Sequence, residues 1–238
     1  MIAPKLDPVA VNLVHERVYA VLKQAVLAGV FIPGQKVTVR EIAARFATSA
    51  MPVREAIRRL VTQQAFEALP NRTVRVPEFS PAKVQDLCRV RCMVEGTAAA
   101  WAAERATPEL VRQVEALFAA ELEALERDDL HALLEANREL HFAVYRAAEA
   151  PSLLPCCEML GLQIGPYLGV LQCDQTLRFS LQDHGKLARA LRRRDAAGAR
   201  DAIAQNITTS ARHILELWQR RHEGEKAARR RGRRRAEG

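Results

Sequence analysis

The chain has 238 residues, 49% of them apolar, and a formal net charge of +8. That length suits one large or two modest domains with substantial buried cores. Gln163, Pro166 and Gln172 break the most apolar region well short of the ~18 residues a membrane span needs, and MIAPKLDPVAVNLV holds no apolar signal core. The five cysteines, Cys88, Cys92, Cys156, Cys157 and Cys173, lie among apolar residues without a zinc-type CxxC spacing. They read as buried thiols of a soluble, cytoplasmic protein with no membrane partner.

In chain order, an amphipathic helix is expected from about Val9 to Ala28, stopped by Gly29 and followed by a turn at Pro33-Gly34. Thr38 with Glu41 three residues on forms a capping box for a short helix that buries Ile42, Ala43 and Phe46. Ser49 is placed to cap the next helix, and Pro52 falls in its first turn. Val53, Ala56, Ile57 and Leu60 make the apolar stripe of that helix, leaving Arg54, Glu55, Arg58 and Arg59 outside it. Phe66 to Leu69 and Thr73 to Val76, joined by Pro70-Asn71-Arg72, read as a small β-hairpin. Helix, turn, basic helix and hairpin in that order give a winged helix-turn-helix. From Lys36 to Arg75 there are eight Lys/Arg against three Glu, as a DNA-binding surface requires.

Pro33-Gly34, Glu41, Ala43, and Pro52-Val53-Arg54-Glu55-Ala56 with Arg58-Arg59-Leu60 resemble the winged helix of the GntR family of bacterial transcription regulators. The resemblance runs from about Val18 to Val76 and implies binding to double-stranded DNA. It places Arg40, Ser49, Met51, Arg54, Arg58, Arg59 and Arg72 at the DNA. This chain departs from the family at Ala47-Thr48-Ser49-Ala50-Met51, where the family usually has Gly-Val-Ser-Arg-Thr. Ala50 then stands where a base-contacting arginine is usual, and alanine cannot bond guanine in a bidentate way. Ala65 and Thr73 replace two further glycines, which is tolerable where the local φ stays negative.

Pro77 and Ser80-Pro81 close the first domain, taken as residues 1–77. Helical periodicity then continues without strands. Helices are expected from Pro81, from Thr107 to about Arg127, near 129–149, 152–172 and 175–194, and from Ala196 to His222. Six such helices make an antiparallel α-helical bundle over 78–222, so the fold class is mostly α. Residues 223–238 contain the run ARRRGRRR and are expected to be a disordered basic tail.

Several polar residues fall on the apolar stripes of the bundle helices: Arg91 and Glu95, Asn137 and His141, His184, and Asn206. Buried polar groups from separate helices must find partners, so they are expected to line one cavity. The pattern resembles the effector domain of the FadR branch of the GntR family, on Arg91-x-x-Val94-Glu95, Asn137-x-x-Leu140-His141 and Asp183-His184. That resemblance implies a small organic-acid effector among Arg91, Asn137, His141, His184 and Asn206. It also implies a divalent metal of Zn or Ni type on Asn137, His141 and His184, with Asn206 where the family has a further histidine. Arg91 is open to two readings, an effector contact or an i,i+4 pair with Glu95.

The expected function is a ligand-responsive, DNA-binding regulator, a repressor in the family's manner. It would act as a homodimer on an inverted repeat. Two other readings are a sensor or interaction module without specific DNA binding, and a metal-dependent enzyme. The enzyme reading lacks a nucleophile constellation or phosphate-binding loop, so no catalytic residue is assigned.

Overall fold

The computed structural model describes residues 13–70, 73–170 and 181–236, with side chains at 14–70, 73–169 and 181–220. Arg72, Cys173 and the expected helix start at Gln175 lie outside the described residues.

The first domain begins with α1 (Leu13–Leu27), which ends where predicted. Gly29 at φ 68° donates to the Val26 carbonyl and Val30 to that of Ala25, the left-handed stop of a helix. β1 (Lys36–Thr38) leads into α2 (Val39–Arg45) through the predicted capping box. The Glu41 amide donates to Thr38 Oγ1 at 3.2 Å and the Thr38 amide to Glu41 Oε2 at 2.9 Å. α3 (Ala50–Thr62) follows. Ser49 stands at its N-cap position, but its hydroxyl makes no capping bond, contrary to the expectation from sequence. β2 (Glu67–Ala68) and β3 (Thr73–Arg75) form the expected hairpin. β1 adds a third antiparallel strand on the other side of β3, in the order β1-β3-β2. Three residues are too few for a period-two pattern, so β1 was not legible in the sequence; it is fixed by Val37 sitting opposite Val74, both buried. Ala65 and Thr73 keep negative φ, which satisfies the condition for replacing glycine there. The positive φ falls instead on Ala47 (48°) and Gln64 (59°).

The second domain is a bundle of α4 (Pro81–Glu104), α5 (Pro108–Glu126), α6 (Leu130–Ala147), α7 (Leu154–Val170), α8 (Leu181–Arg193) and α9 (Ala196–Ala236). Ser80, Thr107 and Asp129 accept from the amide three residues on and so fix the starts of α4, α5 and α6. Ala98, Ala99, Ala102 and Ala103 of α4 share one core with Ala199, Ala202 and Ile203 of α9, and their small side chains let the two longest helices pack closely. α9 continues to Ala236, so the basic run expected to be disordered extends a helix. A chain rich in Arg, Ala and Lys has high helix propensity, which net charge alone does not reveal. Among the described residues no helix is long and apolar enough to cross a membrane.

Candidate DNA face and effector cavity

The outer face of α3 is built by spacing. Met51, Arg54 and Arg58 follow at i, i+3 and i+7, all exposed, while Val53, Ala56, Ile57 and Leu60 anchor the opposite side in the core. Arg54 and the exposed Arg40 of α2 make no ion pair among the described residues. Arg58 lies 3.5 Å from Glu55 in an exposed i,i+3 pair that contributes little. Arg54 and Arg58 border a groove between α3 and the strands β2 and β3. Arg59 differs from the sequence expectation: its Nη1 donates to both Glu16 oxygens at 2.8 and 2.9 Å, and its guanidinium lies 3.7 Å over the Tyr19 ring. It ties α3 to α1 while its side chain stays partly exposed. Arg75 is likewise held by Glu67 and Glu78. Lys36, Arg40, Arg45 and Arg54 are thus exposed without an ion-pair partner among the described residues, and Arg58 has only the weak pair with Glu55.

Inside the bundle a single chain of buried polar groups crosses four helices. Arg91 gives Nε and Nη2 to the two Glu95 oxygens at 2.8 and 3.0 Å, the i,i+4 pair. Burial alone would lower the Arg91 pKa, and the Glu95 charge more than reverses this, so the pair is ionised. Tyr145 donates to Glu95 Oε2 at 2.6 Å, its own pKa pushed well up by burial and by that carboxylate. His141 Nδ1 lies 2.7 Å from the Tyr145 oxygen, and His141 Nε2 lies 3.1 Å from His184 Nε2. His184 Nδ1 meets Glu121 Oε2 at 2.8 Å. Asn206 bonds the His141 ring, whose pKa is pushed well down by burial, by His184 and by Arg91.

Proton counting along this chain has a definite outcome at His141. The Tyr145 proton goes to Glu95, so His141 must donate from Nδ1 and its Nε2 keeps a lone pair. In the tautomer in which His184 Nδ1 donates to Glu121, the two Nε2 lone pairs face each other at 3.1 Å. That arrangement is relieved by a metal ion or a proton between the nitrogens, and in the other tautomer, with the proton on Glu121, His184 Nε2 donates to His141. Two imidazoles on one ion at about 2.0–2.1 Å each stand about 3 Å apart, so the spacing fits a borderline divalent ion. Glu121 behind His184 and Tyr145 behind His141 supply the outer partners that orient such ligands. The remaining donors within reach, the Asn137 and Asn206 amides, are weak. Among the described residues no three His, Cys, Asp or Glu converge on one point.

A cavity of about 60 Å³ opens beside this chain. Its polar wall carries Arg91, Asn137, Arg138, His141, Tyr145 and Asn206, with Ser210 beside them, and the rest is mostly apolar. The sequence-predicted residues therefore converge with one exception. His184 is fully buried behind His141 and touches it without lining the cavity. Glu121, Tyr145 and Arg138 were missed. A signal existed for each: Glu121 falls on the Leu110, Val114, Phe118 stripe of α5, Tyr145 stands one turn after His141, and Arg138 adjoins Asn137.

A winged helix carrying free arginines on its recognition helix, joined to a bundle with a polar-walled cavity, defines a one-chain DNA-binding sensor. Residues 14–76 match the bacterial regulatory proteins of the gntR family, and residues 86–209 match the FCD domain. The chain belongs to the GntR family of bacterial transcription regulators, with an FCD effector domain. It is 29% identical over 202 residues to the HTH-type transcriptional regulator McbR of Escherichia coli, spanning 84% of this chain and 91% of that one. It is 26% identical over 224 residues to the Escherichia coli galactonate operon transcriptional repressor, spanning 85% and 97%. The solved structure of McbR superposes with a TM-score of 0.80 at 27% identity, over 90% of this chain and 99% of that one. These relatives are regulators rather than enzymes, so the enzyme reading is set aside.

Proposed function

We propose that this regulator is a homodimer that binds an inverted-repeat operator through α3 and senses a small organic acid in the bundle cavity. Its place of action is the cytoplasm. The observation that carries the sensing role is the pair of Nε2 atoms of His141 and His184, 3.1 Å apart beside the cavity. A divalent ion of Zn or Ni type would be held by the Nε2 atoms of His141 and His184 and would offer an effector carboxylate a positive partner. The ion supplies a Lewis-acidic anchor for that carboxylate. Asn137, Asn206 and Arg138 orient the acid at the same wall. Arg91 contributes through Glu95, because two of its donor nitrogens are already taken.

Dimerisation is supported by the outer face of α4, where Val90, Met93 and Trp101 are exposed, Met93 at 72%. Calorimetric titration of chelator-treated protein with Ni²⁺ tests the sensing site. One ion per chain, lost in His184→Ala while operator affinity of the free protein is kept, is the expected result. No ion bound, or binding unchanged in His184→Ala, rejects the metal anchor.

A further inference from the structure

The cavity is not enclosed by the bundle alone. Leu27 and Ala28, at the end of α1 in the winged-helix domain, form part of its wall beside Cys157, Gly161, Ile164 and Leu168 of α7. α1 comes this close because Gly161, Gly165 and Gly169 stand one turn apart on α7. A Cβ on Gly165 would collide with the Val26 carbonyl, and one on Gly169 with the Gly29 carbonyl. A Cβ on Gly29 would come within 2.7 Å of the Gly169 Cα. Backbone meets backbone along this seam, so no side chain can give way.

Independent contacts cross the same seam. Leu162 of α7 is fully buried in the winged-helix core with Val18, Leu22 and Val26. Lys23 pairs with Glu158 at 2.8 Å. Tyr167 donates to the carbonyl of Glu78, in the segment joining the two domains. α7 also has a weak point here: Pro166 lies inside the helix and offers no N–H to the Leu162 carbonyl. One helix therefore touches α1, the interdomain segment and the cavity, and it is deformable where the three meet.

We propose that Leu27 and Ala28 are part of the effector site, and that the glycine seam between α1 and α7 transmits occupancy to the DNA-binding domain. An occupant of the cavity touches both sides of the seam, so its contacts exist in full only while α1 is seated on α7. A ligand shifts an equilibrium only by such differential contact. Occupancy thus holds the winged helices in one placement on the bundle, and loss of the occupant lets the seam open. The idea rests on the effector reading above but can be tested with no effector in hand.

The test compares full-length wild type with Gly165→Ala, Gly161→Ala and Gly185→Ala. Gly165→Ala forces a methyl group into the α1 backbone. Gly161→Ala is milder: its methyl group lies 3.1 Å from the end of Leu27 and stands in for a small occupant of that wall. Gly185 of α8 faces Phe118 of α5, away from the seam, and serves as the control. Hydrogen exchange of peptides covering 13–30 and titration of a duplex selected by the wild type are read together. Faster exchange at the end of α1 in Gly165→Ala is expected, with operator affinity changed at least about fivefold in both seam variants. Gly185→Ala should match the wild type. Wild-type exchange and affinity in both seam variants would overturn the proposal. If Gly165→Ala does not fold, Gly161→Ala alone decides. Failure of the wild type to select any duplex would strike the DNA reading instead, and the exchange data would still judge the seam.

Discussion

The two domains treat positive charge in opposite ways. On the winged helix, Arg40 and Arg54 stand in solvent without an ion-pair partner among the described residues, and Arg58 has only an exposed one. In the bundle, Arg91 is buried and bonded twice to Glu95, at the head of a chain running through Tyr145, His141 and His184 to Glu121. Solvated charge costs little to keep and remains free for a polyanion. Buried charge must be matched group by group. The outer face is therefore ready for its partner as it stands, whereas the inner chain is matched from Arg91 to His141 and ends at a buried Glu121 with one oxygen left without a hydrogen-bond partner.

Breaking the inner balance should have the largest effect. Arg91→Ala leaves the Glu95 carboxylate buried and unpaired, which should cost about 3–5 kcal/mol of stability. Urea denaturation followed by circular dichroism measures it. A loss below about 1 kcal/mol, the scale of an exposed pair, would erase the contrast between the domains.

The contrast also extends to apolar surface. Both domains expose apolar side chains, but α4 carries Val90, Met93 and Trp101 along one face of a single helix, whereas Val14, Val21, Val30, Ile32 and Met51 of the winged-helix domain are spread over α1, the turn after it and α3. Met93→Glu should turn the dimer into a monomer at micromolar concentration in sedimentation velocity, with the helical content unchanged. A dimer as tight as wild type would place the interface elsewhere.

The smallest effect concerns the backbone at the turn between α2 and α3. Ala47 holds φ 48°, a left-handed conformation that glycine adopts without penalty. Ala47→Gly should raise stability by about 0.5–1 kcal/mol, read as a higher melting temperature. A lower melting temperature would mean that the alanine methyl group contributes packing that outweighs the strain.

The same division explains how far the sequence could be read. The capping box at Thr38 and Glu41, Pro52 in the first turn of α3, and the hairpin around residues 70–72 are local signals, and the helical periods of the bundle are local too. Even the convergence of His141 and His184, 43 positions apart, could be anticipated, because each lies inside an apolar stripe. What could not be read depends on contacts between distant segments. β1 exists only through β3, Arg59 is tied to α1 by Glu16 and Tyr19, and His184 is screened from the cavity by His141. The entry of Leu27 and Ala28 into the cavity wall depends on glycines more than 130 positions away. The GxxxGxxxG spacing on α7 was visible, but nothing local names the helix that fills it.

Selection from random duplex DNA, run in parallel on wild type and Arg54→Ala at one fixed salt concentration, tests the central claim most directly. Arg54 is exposed, so its removal should leave stability within about 0.5 kcal/mol while removing a base contact worth roughly 1–3 kcal/mol per half-site. The wild type should enrich a short inverted repeat, and Arg54→Ala should lose that enrichment while retaining salt-sensitive, sequence-independent binding. The same palindrome enriched equally by both proteins, or no sequence enriched by the wild type, would contradict it.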